Sequence, residues 1–307
     1  MNFIHYHNFI MRTLLYLLAA IAMVFTITNI VNAKPKVASL HPLMTDLAKQ
    51  VGGDHLEVIE LIDKHADPHH FNPSPKVLLK AKGASLYLAS GKGIETYLDK
   101  LQSTLGSSAV VLEVGRTIPS QKISAHDSQF ICCPTHSHEA IDPHWWHDVS
   151  NMKKAARVVA KSFGEIDPQN AKAYKKNAAI YSKRLDVLHS WIKREVSRIP
   201  VKSRVLATAH SAFGYFCNKY KFKALPIKGI SANQETSAAY QAQAIQEIKK
   251  NSVKAIFPEQ RANPKSLKII AAETGVRLGG TLIADGSSNY ESMMQSNVTT
   301  IVSALTR

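Results

Sequence analysis

From Asp167 to Pro200 the sequence carries one apolar stripe that no breaker interrupts after Pro168. Ala171, Ala178, Leu185 and Ile192 recur every seventh residue, and Tyr174, Tyr181 and Leu188 do the same one turn along. Such spacing places all seven on one face of an α-helix. Asp167 is expected to cap that helix, and Pro168 suits its first turn. At 1.5 Å per residue, ~30 residues make a rod of roughly 45 Å, about the length of a whole domain. A rod of this length in mid-chain reads as a stiff strut between two bodies.

Both flanks alternate short apolar, β-branched runs with amphipathic stretches. Before the strut, strands are expected at Val37–Leu40, Leu56–Ile62, Leu86–Leu88 and Val110–Leu112, with helices between them. After it, strands at Val205–Ala207, Ala224–Ile227, Val253–Phe257 and Val276–Leu278 alternate with helices ending in Tyr290–Leu305. Strand–helix alternation is the pattern of a parallel sheet covered by helices. The expected fold class is therefore α/β, with two similar α/β lobes with parallel sheets joined by one long rigid backbone helix. The lobes are placed at residues 34–166 and 201–307, and the backbone helix at 167–200.

The first 33 residues read differently. Arg12 is their only charged residue, an apolar run from Leu14 to Val31 follows it, and Val31-Asn32-Ala33 ends on a small residue. This is the layout of a cleaved signal peptide. A run of ~18 apolar residues can also span a bilayer, but Thr26, Thr28 and Asn29 weaken an anchor. No cysteine follows the run where a lipid would attach, so the mature protein is expected outside the cytoplasm, in a periplasm.

A formal net charge of +15 raises the question of nucleic acid, yet the lysines are spread along the chain with no basic run interleaved with aromatics. Nucleic-acid binding is set aside. The three cysteines are too few for a disulfide scaffold, and Cys217 reads as a small core residue in a helical stretch. From Gly115 to Ile141 there is no periodicity. His126, Asp127, Cys132, Cys133, His136, His138 and Glu139 in this segment fit either a mobile metal-collecting patch or a polar loop.

The placement of the histidines carries the chemistry. Asp-Pro-His occurs twice, at Asp67-Pro68-His69 and Asp142-Pro143-His144. Proline stiffens the backbone and the aspartate can bind nearby amides, so each unit presents an imidazole from a firm loop. His210 follows strand Val205–Thr208, and Asp285 follows strand Val276–Leu278. In parallel α/β sheets ligands bind beyond the carboxyl ends of strands. Two lobes facing each other would bring His69, His144, His210 and Asp285 together, a sensible set for Zn2+, or for Mn2+ if more oxygens join. Spacing alone would leave Asp285 an ordinary turn aspartate. His70 and His147 are expected beside the site or in solvent, and Glu259 either near it or in a salt bridge.

These residues resemble the zinc- and manganese-specific substrate-binding proteins of bacterial ABC transporters. The segments 67–75 and 142–148 look like the family's two Asp-Pro-His blocks, and Thr208–Phe216 resembles its third. Ile256-Phe257-Pro258-Glu259, Asp285, and Tyr290 with Met293, Met294 and Asn297 match later ones. Val149 departs from the family's proline, and Ser231–Thr236 matches loosely. The resemblance implies a metal held between two lobes by His69, His144, His210 and Asp285. It also implies a monomeric receptor serving a membrane permease, and zinc over manganese because the third ligand is histidine. The competing class is a zinc-dependent hydrolase, which would keep one coordination position open and a general base nearby.

Overall fold

The computed structural model describes residues 33–64, 66–105, 107, 109–123, 141–229 and 238–306. The apolar leader up to Asn32, and His126, Asp127, Cys132, Cys133, His136, His138 and Glu139, lie outside the described residues. Among the described residues no helix is long and apolar enough to cross a membrane.

The first sheet contains β1 (Lys36–Ser39), β2 (Glu57–Glu60), β3 (Leu86–Ala89) and β4 (Val110–Glu113), in the order β2-β1-β3-β4. Its crossover helices are α1 (Pro42–Gly52), α2 (Pro75–Lys80) and α3 (Leu98–Leu105). The second contains β5 (Val205–Thr208), β6 (Lys223–Pro226), β7 (Ala255–Phe257) and β8 (Arg277–Leu278), in the matching order β6-β5-β7-β8. All pairs are parallel. Central strands β3 and β5 are buried along their whole length, which is why Leu86-Tyr87-Leu88-Ala89 and Val205-Leu206-Ala207-Thr208 do not alternate with polar residues. In both sheets the order reverses beside the first strand, and in a parallel sheet the crevice outside that point is where ligands bind.

Two long helices join the sheets. α4 (Val149–Ile166) and α5 (Ala171–Ser197) pack along each other across the short turn Pro168–Asn170. α5 buries Tyr174, Ala178, Tyr181, Leu185, Leu188, Ile192 and Val196, so the stripe faces inward, with Ala171 only partly covered. Asp167 does not cap this helix. Its carboxylate accepts hydrogen bonds from the Tyr174 hydroxyl and from Asn170 Nδ2 at 2.8 Å instead, and the first turn is 3-10. α4 is an element the strand–helix alternation left out, although Val149, Met152, Ala155, Val159 and Phe163 have helical spacing and are buried. Asp148 caps it by accepting from the Ser150 amide at 2.8 Å.

α5 touches α1 of the first lobe, and also the last helix of the second, α9 (Tyr290–Leu305). One apolar core accordingly runs from Val37 and Leu86 through Phe163, Tyr181 and Leu185 to Phe216, Phe257 and Ile301. Cys217 lies within it at 3% exposure, as a small core residue. The outer face of each sheet carries a smaller cluster of its own. In the second lobe that cluster involves α7 (Ala238–Lys250) and α8 (Lys265–Thr274), and α6 (Gly214–Tyr220) lies on the inner side.

Candidate metal centre

Three of the four expected side chains sit in loops shaped by their own sequence. In both Asp-Pro-His units the aspartate Oδ1 accepts the amide of the histidine two residues on, at 2.9 Å for Asp67 with His69 and 2.9 Å for Asp142 with His144. This turn, with the fixed backbone of the intervening proline, aims the imidazole. His210 stands two residues beyond β5, where Thr208 Oγ1 donates to the His210 carbonyl at 2.9 Å. The first lobe repeats that feature after β1: Ser39 Oγ donates to the His41 carbonyl at 2.9 Å. His41 is thus the counterpart of His210, but its ring caps α1, accepting the Leu43 amide on Nδ1 at 3.2 Å.

The four side chains converge. The ligand atoms of His69, His144, His210 and Asp285 all lie within 4.8 Å of one another. His69 Nε2 and His144 Nε2 are 3.1 Å apart, and Asp285 Oδ1 is 3.6, 3.5 and 3.4 Å from the Nε2 atoms of His69, His144 and His210. Tetrahedral ligands at 2.0–2.1 Å from one zinc would be roughly 3.3 Å apart, so the spacing suits a single ion. His210 Nε2 and Asp285 Oδ1 are buried with no hydrogen-bond partner. Buried polar atoms rarely go unsatisfied in a native protein, and a cation between them would satisfy both.

The far sides of two of the three rings are held. Asp142 Oδ1 accepts from His144 Nδ1 at 2.9 Å, and Glu259 accepts from His210 Nδ1 and from its amide, the latter at 3.1 Å. A carboxylate behind a ligating imidazole fixes the tautomer, leaves Nε2 as the donor atom and raises its basicity. Glu259, read as either neighbour or salt-bridge residue, is therefore the support of His210.

The electrostatics follow from burial and these carboxylates. Burial works against a charge on all three rings. For His69 burial prevails and holds it below the ordinary histidine range. For His144 its hydrogen bond to Asp142 and the nearby Asp285 carboxylate outweigh it and push the ring up. For His210 the charges of Glu259 and Asp285 push it well up. Burial likewise opposes ionisation of Asp285, but His210 and the other two rings keep its carboxyl far below the usual range. The site thus keeps one anionic oxygen available at any moderate pH.

His70 and His147 divide. The His70 side chain is 61% exposed. His147 is buried and held neutral, its value lowered to about 3 by loss of water. Its Nε2 donates to the Ala284 carbonyl at 3.0 Å, and Trp146 Nε1 donates to the same oxygen at 2.9 Å. Asn297 binds the amide and the carbonyl of Ile283, each at 2.8 Å. The Asp285 loop is thus clamped by two residues of the second Asp-Pro-His block and one of α9.

A family model for the zinc-uptake complex component A, a periplasmic protein, matches residues 37–304. The chain belongs to this family. Among its relatives, the manganese-binding lipoprotein MntA of Bacillus subtilis is 30% identical over 274 residues, covering 85% of this chain and 87% of the relative. The zinc-binding protein TroA of Treponema pallidum is 29% identical, with 90% of each chain covered. The solved structure of TroA superposes with a TM-score of 0.80 at 27% identity, over 90% of this chain and 100% of that one. The two parallel-sheet lobes and the long connecting helix are the fold of this family.

Proposed function

We propose that the protein is an extracytoplasmic receptor that captures zinc with His69, His144, His210 and Asp285 and passes it to the permease of an ABC-type metal transporter. The observation that carries this reading is the convergence of three Nε2 atoms and one carboxylate oxygen within 4.8 Å, two of the rings backed by carboxylates. The permease role is supported by membership of a zinc-uptake family. Zinc is favoured because imidazoles outnumber oxygen donors three to one, which suits a borderline-soft ion better than manganese. Manganese is the second reading, since a relative of comparable similarity is named for it.

Four protein donors close a tetrahedral shell and leave no position for an activated water, so binding and not hydrolysis is the expected outcome. The protein acts in the periplasm after removal of residues 1–33, as a monomer, and without nucleic acid. The neutral rings take the ion, Asp285 offsets one of its charges, and Asp142 and Glu259 hold the geometry. Titrating metal-free protein with zinc and with manganese tests the assignment: a 1:1 zinc complex tighter than the manganese one is expected. If replacing both His69 and His144 by alanine left zinc affinity unchanged, the ligand set would be wrong.

A further inference from the structure

The loop after β7 touches three of the four ligand loops within three residues. Glu259 holds His210. The backbone around Gln260 is stitched to the segment before Asp285: Gln260 N donates to the Leu282 carbonyl at 2.9 Å, and Leu282 N donates to that of Pro258 at 2.8 Å. Arg261 then leaves the second lobe. One terminal nitrogen donates to the Ala66 carbonyl at 3.1 Å; the other, Nη2, donates to the Lys64 carbonyl and itself lies 3.5 Å from the carbonyl oxygen of Gly286, next to Asp285. Both first-lobe acceptors belong to the loop that ends in His69.

Arg261 has a φ of 68°, one of four non-glycine residues with positive φ among those described. A side chain in that region is strained, and such strain concentrates where surrounding contacts demand a particular direction. Here the direction is across the cleft. His69 needs such support more than its fellows: its side chain is 8% exposed where those of His144 and His210 are 0%. It also comes from the first lobe, whereas the Asp285 segment belongs to the second.

We infer that Arg261 is a positioning residue that latches the His69 loop to the Asp285 loop and so governs how fast a captured metal leaves. The inference rests on the zinc-receptor reading for its ligand, but the latch is a property of the metal-free chain as well. A planar fork that reaches two carbonyls at once is not reproduced by an ammonium group, so Arg261→Lys should behave more like Arg261→Ala than like the parent.

The test is zinc release from the full mature chain into excess chelator, with hydrogen exchange on the metal-free protein. Arg261→Ala and Arg261→Lys should release zinc about tenfold faster, the scale seen when support behind a metal ligand is lost. Association should change by less than about threefold, and the absorption of bound cobalt should stay tetrahedral. Exchange should speed up across residues 62–70 and stay unchanged in α5. Arg157→Ala, on an exposed face of α4, is the control. Release within about twofold of the parent from both variants, with zinc still bound, would overturn the latch. Failure of the parent to bind zinc would overturn the receptor reading instead, and the exchange data would then judge the latch alone: unchanged protection at 62–70 refutes it.

Discussion

The hydroxyl of Tyr290 donates to the backbone carbonyl of Trp146 at 2.7 Å, so the first residue of α9 is fastened to the block that presents His144. The Tyr290 amide also donates to Asp46 Oδ2 in α1 at 2.9 Å. The carboxyl end of the Asp285 loop is therefore held by first-lobe groups, although its sheet is in the second. Tyr290→Phe should cost about 1–3 kcal/mol in urea unfolding, because a buried carbonyl loses its donor. Zinc affinity should fall less than for loss of a ligand, since Trp146, His147 and Asn297 still hold Ala284 and Ile283. A neutral result in unfolding would show that the contact carries no weight.

Gly214 has a role that its helical position would not announce. A Cβ there would lie 2.5 Å from Asp142 Oδ2 and 2.8 Å from Gln121 Nε2. Gly214→Ala should push the Asp142 carboxylate off His144 and weaken zinc binding by about 10–100-fold, as Asp142→Asn should. Alanine at other helix positions normally adds stability. Calorimetric titration of both variants checks this, and unchanged affinity in Gly214→Ala would mean that Asp142 moves without losing its ring.

Zinc affinity should fall on acidification, beginning above the ordinary histidine range. In the metal-free site His144 and His210 are raised and hold protons that zinc must displace, while Asp285 stays ionised and the lowered His69 does not compete. Each displaced proton makes affinity fall about tenfold per pH unit once the pH is below that ring's value. Competition titrations from about pH 8.5 to 5.5, with proton release read in buffers of different ionisation enthalpy, measure both quantities. A flat profile across that range would contradict the assignment of His144 and His210.

Glu95 sets a second, separate pH dependence. It is buried in the segment that follows β3, accepting from the amides of Ser90 at 2.6 Å and Gly91 at 2.9 Å, and burial raises it from 4.5 to about 7. The folded state thus holds a proton that the unfolded chain gives up near 4.5. The stability from this group is complete below that value and is lost as pH rises through about 7. Relative to Glu95→Gln, the parent should lose roughly 3 kcal/mol across this window, at ~1.4 kcal/mol per unit. Denaturant unfolding of both proteins across the window decides it, and parallel pH profiles would exclude Glu95 as the cause.

Much of the fold was legible because it rests on local rules. Eight short apolar runs became eight parallel strands, and the seven-residue stripe became α5. The two Asp-Pro-His units announced His69 and His144 because each turn is closed by its own aspartate. The rest depended on tertiary placement. Asp285 lies seven residues beyond β8 in an ordinary-looking turn, and its position is set by Trp146, His147 and Asn297 from elsewhere in the chain. His41 shares its local setting with His210, but a helix begins at once behind it and takes its ring as a cap. Arg261 gave no signal at all, since its reach depends on a left-handed backbone angle and on carbonyls about 195 residues away.

The apolar core that passes without a gap from Val37 through Leu185 to Ile301 ties both lobes to one helix. For a receptor of this build, the continuity predicts that capture shifts the loops at the rim and leaves the lobes in place, which small-angle scattering with and without zinc would check. The same continuity makes the chain poor material for splitting: cut near residue 200, each half would present a torn apolar face, and neither would keep a complete set of donors.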